Sequence, residues 1–361
     1  MKILHLPTSV GGNSYGLAEA EKSIGLESRV LYTNADWLQY PADIVVQRKK
    51  SKIGDSIQLI KTAFKIYDKY DIYHYNFGSS LLEFPGLGME LLELPFIDDR
   101  KIVVTYNGCD ARQKYARMQQ TDICACKYEA CYAGVCMDKG IEERKKKRIE
   151  KFKKCGATFL SLNPDIMNFL PSSTQFLPYT VAAWHEIETD YRPKKYTNLQ
   201  KIKIVHAPTN RVTKGSDAVI EIINRLQKKY PNYLELVLVE NQPYQEALKI
   251  YKTADLVIDQ LRVGWYGAFA TEVMKMGKPV IAYINEQDLH FIPKTMAKEC
   301  MEAIISANEY TLEATLEEII NNIKILKEKN EAQLEYVYKW HDPKYVASLT
   351  KKIYQDKQEA L

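Results

Sequence analysis

The chain has 361 residues, of which 46% are hydrophobic and 27% charged, and this composition excludes disordered, collagen-like and membrane-embedded proteins. Fifty Lys and Arg against 46 Asp and Glu give a formal net charge of +4, too small to indicate a nucleic-acid partner. Single hydrophobic cores stop growing near about 250 to 300 residues, so the length predicts two domains. No apolar run reaches the roughly 18 residues of a spanning helix, and no secretory leader is recognisable, so we expect a cytoplasmic protein.

The first half of the chain alternates short apolar segments with helical or charged ones. A predicted strand at Ile3–Leu6 leads into a glycine turn at Gly11 and Gly12 and then into a helical segment. Further apolar, β-branched strands are predicted at 28–33, 71–75, 101–106 and 158–162. This alternation predicts an α/β fold with a parallel sheet covered on both faces.

The second half repeats the pattern, with predicted strands at KIKIVHAP, LELVLVE, DLVIDQL and PVIAYI. Helices are expected from about Asp217, from about Tyr244 and after Gly267, which predicts a second doubly wound domain. Two helices carry apolar residues at i, i+3, i+4 and i+7, which assigns these residues to the core: Val219, Ile222, Ile223, Leu226, and Leu316, Ile319, Ile320, Ile323.

These patterns predict an N-terminal domain at 1–188 and a C-terminal domain at 200–340. The polar, Tyr-rich segment His185–Gln200 suits an exposed linker between them. A Cys-rich insertion, about 109–140, is assigned to the N-terminal domain. The last helical segment, 341–361, has too few strands after it to form a new domain and is expected to dock on one of the two.

Two cations mark the loop after the first strand of the second domain. In HAPTNRVTKGSD, Arg211 and Lys214 precede a helix, at the carboxyl edge where open α/β sheets bind ligands. Arg offers phosphate oxygens a planar fork and Lys a compact charge. The alternative interpretation is a solvated surface pair.

A second turn follows a later strand in VGWYGAFATEV. Gly264 and Gly267 frame the turn, and a helix is predicted to begin near Ala268, with backbone amides that can face an anion. Glu272 lies one turn into this helix, and its carboxylate could accept hydrogen bonds from both hydroxyls of a ribose. The alternative is a surface carboxylate that compensates the helix dipole.

Together these fragments resemble the retaining glycosyltransferases of family 4, which have the GT-B architecture of two Rossmann-like domains facing a cleft. The resemblance implies that Arg211, Lys214 and the following Gly215 bind the donor diphosphate and that Glu272 binds its ribose. It further implies a nucleobase contact at Val239–Pro243, with Asn241 within it. Gly267 and Ala268 would complete the donor site, Gly11 and Gly12 would lie between diphosphate and acceptor, and the helix at 341–361 would complete the N-terminal domain.

The chain departs from the family pattern at two positions. Gly264 stands where the family has a first glutamate, and Asn107 stands where many members have a histidine at a strand end. Asn107 can donate or accept hydrogen bonds but cannot act as a base near neutral pH. Retention needs no protein base if the departing phosphate takes the acceptor's proton, so Asn107 is assigned a catalytic contact and no catalytic metal is expected. His74 and Asn76 lie at another strand end and could also face the cleft.

Four cysteines within 13 residues, Cys124, Cys126, Cys131 and Cys136, could close one tetrahedral zinc site. Free thiols and disulfides are the alternatives. The segment is expected to lie over the acceptor side of the cleft.

The segment 142–154 carries eight cations and three carboxylates. It predicts a peripheral contact with an anionic membrane surface or with an acidic, lipid-linked acceptor. A charged, solvated helix face is the alternative.

These observations favour an enzyme that transfers a sugar from a nucleoside-diphosphate sugar, with uridine as the expected base, to a glycan or lipid-linked acceptor. A catalytically silent, sugar-nucleotide-binding subunit of a glycan-assembly complex is the rival hypothesis, motivated by Asn107 and Gly264. A GT-B epimerase or phosphorylase is a second enzymatic rival.

Overall fold

The computed structural model describes residues 1–8, 10–33, 40–84, 87–189 and 201–359. The chain divides into two compact units, and each is described by itself. Unit 1 consists of Met1–Gln113, Gly140–Trp184 and Asp342–Leu361, and unit 2 consists of Lys114–Lys139 and His185–His341.

Each unit contains one sheet in which every pair of neighbouring strands is parallel. The strands of unit 1 are β1 (Lys2–Leu6), β2 (Glu27–Tyr32), β3 (Ile44–Val45), β4 (Ile72–Asn76), β5 (Ile102–Tyr106), β6 (Thr158–Ser161) and β7 (Gln175–Phe176). Those of unit 2 are β8 (Ile202–His206), β9 (Leu234–Leu238), β10 (Leu256–Ile258), β11 (Val280–Ala282) and β12 (Ile305–Ser306). The strand orders are β3-β2-β1-β4-β5-β6-β7 and β12-β11-β10-β8-β9. Both are doubly wound: successive strands are added first on one side of the sheet and then on the other, and this switch in strand order falls between β1 and β4 and between β8 and β10.

The helices are numbered in chain order across both units. Unit 1 contains α1 (Asn13–Ser23), α2 (Lys52–Ile66), α4 (Lys139–Lys154), α5 (Pro164–Met167) and α13 (Pro343–Glu359). Unit 2 contains α3 (Lys114–Gln120), α6 (Arg211–Lys214), α7 (Ser216–Lys229), α8 (Tyr244–Tyr251), α9 (Ala268–Lys275), α10 (Lys294–Ala303), α11 (Leu312–Asn321) and α12 (Lys324–Trp340). The predicted α/β class with two doubly wound sheets is confirmed.

In unit 1 the central strands β4 and β5 are buried along their whole length, as expected of parallel strands covered on both faces. The C-terminal helix α13 packs on α1, where the Glu21 carboxylate accepts hydrogen bonds from Thr350 Oγ1 at 2.9 Å and Tyr354 Oη at 2.8 Å. The opposite Glu21 oxygen lies 2.8 Å from His5 Nε2. A fully buried polar network therefore joins the last helix to the first strand and helix.

In unit 2 the predicted helical spacing is confirmed for α7 and for the first three residues in α11, whereas Ile323 lies beyond the end of α11. Val219, Ile222, Ile223 and Leu226 are buried in α7, and Leu316 and Ile319 are buried in α11. Ile320 and Ile323 are partly buried against the same core.

The predicted linker His185–Gln200 is only partly described, because residues 190–200 lie outside the described residues. Its first residues pack on unit 2. Ile187 is buried, and its carbonyl accepts a hydrogen bond from Lys275 Nζ at 2.6 Å. Ile187 therefore anchors this end of the segment, while His185, Glu186 and Glu188 are exposed as expected.

The Cys-rich segment belongs to unit 2 rather than to the N-terminal half in which the sequence placed it. Three contacts hold it there. The backbone N of Ala125 donates to the carbonyl of Arg262 at 2.8 Å, and Tyr128 Oη donates to the Glu309 carboxylate at 2.7 and 2.8 Å. The Arg262 guanidinium also lies 3.8 Å over the Tyr128 ring. Proximity along the chain misled the assignment, because these contacts join residues more than a hundred positions apart.

Candidate functional site

The candidate site of unit 2 lies at the point where the strand order of its sheet switches, between β8 and β10. Asn210 caps α6 by accepting from Thr213 N at 2.9 Å, and Gly215 ends it with φ 74°. A side chain at Gly215 would lie 3.1 Å from Leu261 Cβ, so the turn requires glycine. The loop thereby places Lys214 beside the end of β10.

Lys214 and the start of α9 converge on one carboxylate. Asp259, the residue after β10, accepts from Lys214 Nζ at 2.5 Å and from Gly267 N at 2.8 Å. The Asp259 side chain is fully buried, and that of Lys214 is 12% exposed. Helix α9 begins at Ala268, so Gly267 supplies the amide at its N-terminus. A cation and a helix-terminal amide thus face the same negative charge, the arrangement that binds phosphate groups elsewhere.

Arg211 lies on the same short helix but is engaged separately. Its guanidinium donates two hydrogen bonds to the Glu240 carboxylate, at 2.8 and 2.6 Å, and its side chain is half exposed. The hydrogen-bonded Arg211 guanidinium lowers the pKa of the Glu240 carboxyl. Asn241 follows, exposed and with φ 53°. Glu240 therefore ties Arg211 to the segment in which Asn241 lies.

Glu272 lies in α9 with its carboxyl group buried. Tyr244, the first residue of α8, donates its hydroxyl to Glu272 Oε1 at 2.6 Å. Burial raises the pKa of Glu272 to about 8, and the Tyr244 hydrogen bond lowers it by a smaller amount. The carboxyl is therefore mostly protonated at neutral pH, which the sequence alone did not indicate.

The departure from the family pattern at Gly264 has a structural cause. Gly264 adopts φ 88°, and a Cβ there would lie 3.0 Å from Asn285 Cβ and 3.2 Å from Arg117 Nη2. Arg117 comes from α3, is almost fully buried, and donates to Asp288 at 2.8 and 3.4 Å. The Cys-rich segment thus fills the space above Gly264 with a guanidinium, and a glutamate would not fit there.

The predicted site residues of unit 1 lie after β1 and β5. Gly11 and Gly12 have φ 63° and 66°, and a Cβ on Gly12 would lie 2.6 Å from the Tyr40 ring. The backbone carbonyl of Asn107 accepts from Asn163 Nδ2 at 2.5 Å. Asn107 Oδ1 is buried and has no hydrogen-bond partner among the described residues.

Asp110 is a titratable group beside Asn107 that the sequence analysis missed. Its carboxylate accepts from the backbone N of Asn107 at 2.9 Å and of Gly108 at 2.6 Å. Burial raises the pKa of Asp110 to about 6, which these backbone donors lower in part. The available signal was the sequence NGCD directly after a strand, in which the acceptor side chain of Asp110 follows the backbone donors Asn107 and Gly108 by three and two residues.

None of the four cysteines of the predicted zinc site forms a disulfide in the described part of the chain. The Cys126 thiol, by hydrogen bonding, lowers the pKa of Cys124 to about 6, and Cys131 Sγ lies 3.5 Å from Thr213 Oγ1. Within the described ranges, the one group of three metal-type ligands that lies within 4.8 Å is His5, Glu21 and His74. The four thiols therefore do not converge on one point in this structure, and zinc binding by them stays a prediction.

The basic segment 142–154 forms most of α4, and unit 1 itself uses several of its cations. Arg144 pairs with Glu90, and Arg148 pairs with Glu83. Lys151 Nζ donates to the carbonyl of Glu90 at 2.5 Å. Much of the run thus stabilises the loop that precedes β5. No helix of the described part of the chain is long and apolar enough to cross a bilayer.

The two doubly wound units and their likeness to solved structures define a GT-B fold. No protein-family model matches the chain, and no curated protein sequence matches it. Sucrose-phosphate synthase from Thermosynechococcus elongatus is 13% identical, with a TM-score of 0.60 and 99% of each chain covered. UDP-GlcNAc 2-epimerase from Neisseria meningitidis is 12% identical, with a TM-score of 0.53 and 99% and 100% of the chains covered. The glycosyltransferase WaaG is 11% identical, with a TM-score of 0.53 and 98% and 99% covered.

Proposed function

We propose that this protein is a retaining glycosyltransferase of family 4 that transfers a sugar from a nucleoside-diphosphate sugar, with uridine as the base, to a glycan or lipid-linked acceptor. One observation carries the proposal. The Lys214 ammonium and the amide at the start of α9 converge on a carboxylate at the carboxyl edge of the unit 2 sheet, and Glu272 lies one turn further along the same helix. An anion-binding helix terminus with a buried carboxyl behind it suits a diphosphate joined to a ribose.

In the proposed donor site, Arg211 and Lys214 stabilise the departing diphosphate, and Glu272 accepts from the ribose hydroxyls. Binding requires the diphosphate to compete with Asp259 for Lys214 and with Glu240 for Arg211. Asn241, Gly267 and Ala268 contact the nucleotide, and Gly11, Gly12 and Asn107 belong to the acceptor-binding unit. Catalysis needs no metal, because protein cations and backbone amides carry the leaving-group charge.

Two similar structures support the choice of uridine as the base. The N. meningitidis epimerase was solved with UDP-GlcNAc bound, and S. aureus MnaA, 13% identical with a TM-score of 0.55, was solved with UDP. We therefore expect UDP or a UDP-sugar to raise the thermal unfolding temperature, whereas GDP and ADP conjugates raise it less, because only a ligand of the native state stabilises it. No shift with any nucleotide would overturn the proposal.

A transferase needs an acceptor and an epimerase does not, so the two candidate activities can be distinguished by experiment. The similar structure from N. meningitidis is a UDP-GlcNAc 2-epimerase, so a GT-B epimerase is the second candidate function. With UDP-GlcNAc and no acceptor, an epimerase changes the sugar's configuration, whereas a transferase leaves it unchanged and releases UDP only when an acceptor is added. Nuclear magnetic resonance of the sugar distinguishes these outcomes, and the anomeric configuration of the product tests retention. Binding without either reaction would identify a silent binding subunit.

A further inference from the structure

Helix α2 exposes a continuous apolar face on unit 1. Ile53, Ile57, Ile60, Phe64 and the following Tyr67 are all exposed, with Phe64 at 77%. At about 100° per residue these five side chains fall within an arc of about 80°. The helix packs on the core through a different side, which carries the buried Leu59 and Ile66.

The apolar face continues into a cavity. Ile60, Phe64 and Tyr67 form one side of an open cavity of about 260 Å³, and Phe96, itself 72% exposed, and Leu82 contribute to the rest. Tyr75 also lines the cavity, and its buried hydroxyl has no hydrogen-bond partner among the described residues. An exposed apolar stripe joined to an apolar cavity is unusual on a protein surface that faces only water.

Cations border this face. Lys52, Lys61 and Lys65 are exposed on the same helix, and none forms an ion pair with any residue that the structure describes. At about 100° per residue, Lys61 and Lys65 lie beyond one edge of the apolar arc and Lys52 lies beyond the other. Positive charge thus borders the apolar face on both edges, a pattern that fits an acidic lipid surface better than an apolar protein partner.

We propose that this face of α2, with the cavity beside it, is a membrane-binding surface that inserts Ile53, Ile57, Ile60 and Phe64 into a leaflet containing acidic phospholipids. The cavity receives part of a lipid chain, and the lysines contact the phosphates. This inference goes beyond the proposed transfer reaction and does not depend on it, because nucleotide binding involves unit 2.

Co-sedimentation of the full-length protein with vesicles tests the proposal. Wild-type protein should bind vesicles of phosphatidylcholine and phosphatidylglycerol more tightly than vesicles of phosphatidylcholine alone. The double variant Ile57→Ser/Phe64→Ser should lose about tenfold or more of its vesicle partitioning, because two exposed apolar side chains no longer enter the bilayer. Lys61→Gln/Lys65→Gln should weaken binding to the acidic vesicles only. The control Tyr310→Ser, which alters a residue of unit 2 that is 74% exposed, should bind as wild type does.

Quenching by brominated phosphatidylcholine locates the inserted face. The indole introduced by Phe64→Trp should be quenched on vesicle binding, whereas the one introduced by Tyr310→Trp should not. Equal vesicle binding by wild type and the Ile57/Phe64 double variant would overturn the proposal, as would an unquenched indole at position 64. If the double variant instead turned an oligomer into a monomer with vesicle binding unchanged, the face would contact a second copy and the proposal would be wrong. Nucleotide thermal shifts, measured in parallel, report on the donor site alone.

Discussion

The buried environment of Glu272 favours its neutral carboxyl over the ionised carboxylate. Its carboxyl group is buried and has a pKa of about 8, whereas an unfolded glutamate titrates near about 4.5. A raised pKa in the folded state stabilises the protein most below pH of about 4.5, and this contribution is lost as the pH rises through about 8. The ionised carboxylate that the proposed ribose contact uses therefore forms only at a cost in stability.

Glu272→Gln should consequently raise the unfolding temperature at pH 8 and change it little at pH 5. The amide keeps the size of the side chain and can still accept from Tyr244, but it has no charge to desolvate at either pH. Differential scanning fluorimetry at the two pH values measures the effect. Equal changes at both values would contradict a buried carboxyl with a raised pKa.

The same substitution should weaken nucleotide binding by about 1.5 to 3 kcal/mol, the range for hydrogen bonds to a charged group. A 2′,3′-dideoxyribose analogue makes neither bond, so wild type and Glu272→Gln should bind it alike. Because ribose hydroxyls favour the ionised carboxylate, wild-type binding should also release protons near neutral pH. Calorimetry in buffers of different ionisation enthalpy measures this release. If both proteins discriminate equally against the analogue, Glu272 does not contact the ribose.

Arg211→Ala and Lys214→Ala should each reduce kcat/KM for transfer by about tenfold or more, which corresponds to about 1.4 kcal/mol. Each substitution removes a cation proposed to contact the leaving diphosphate. Arg225→Ala is a matched control, because Arg225 also pairs with a surface glutamate and is exposed to a similar extent, 47% against 50% for Arg211. Near-normal kcat/KM in the Arg211 and Lys214 variants, measured by release of nucleoside diphosphate, would remove these residues from the site.

At the scale of the elements, the longer strands followed from periodicity and the position of α9 followed from Gly267, whereas the two-residue strands β3, β7 and β12 were not predicted. Local rules suffice there, because strand alternation and helix caps depend on residues within a few positions. The partners of the site residues could not be predicted this way. Asp259 and Glu240 are separated from the cations they hold by 45 and 29 positions, and nothing in the local pattern marks either as an acceptor.

The contacts of the segment 114–139 were even less predictable from local sequence patterns. Its cysteine spacing is visible in the sequence, but its anchor is Arg117 on Asp288, 171 positions away. The buried Arg117 guanidinium occupies the space that a glutamate side chain at position 264 would need. The insertion therefore contacts Gly264 in unit 2, the unit of the proposed donor site, whereas the sequence analysis expected it over the acceptor side of the cleft.

Protein purified under reducing conditions should contain about one zinc ion per chain if Cys124, Cys126, Cys131 and Cys136 bind it, because four thiolates suit a tetrahedral site. Binding requires the thiols to move together from the positions seen here. Elemental analysis of wild type and of Cys131→Ser measures the metal, and Cys155→Ser, which alters a thiol of unit 1, is the control. Metal-free protein whose four thiols all titrate would exclude the zinc site and leave the proposed transfer reaction untouched.

At the scale of the whole molecule, each unit buries a neutral histidine within a strand of its sheet, His74 in β4 and His206 at the end of β8. Burial lowers the pKa of His74 in unit 1 well below its ordinary value and that of His206 in unit 2 to about 4. The carbonyl of Ile258 can only accept, so His206 Nδ1 carries the proton, and Nε2 accepts from Ser216 Oγ at 2.8 Å. Both imidazoles are thereby held in the uncharged form that a low-dielectric core favours.

These histidines should make both units less stable in mild acid. An unfolded histidine titrates near about 6.5. Between about pH 6.5 and pH 4, position 206 is therefore protonated in the unfolded chain and neutral in the folded one. Stability is thus complete above pH 6.5 and is lost as the pH falls, by about 2 kcal/mol at pH 5 for His206 alone. Urea unfolding at pH 7.5 and pH 5 measures the loss, with the two units followed separately because two-unit chains need not unfold in one step. His206→Gln, which keeps a donor and an acceptor but cannot take up a proton, should remove this part of the pH dependence while leaving that of unit 1 in place. If the variant loses as much unfolding free energy as wild type between the two pH values, His206 is not protonated on unfolding. Its burial would then not cause the loss of stability of unit 2 in mild acid.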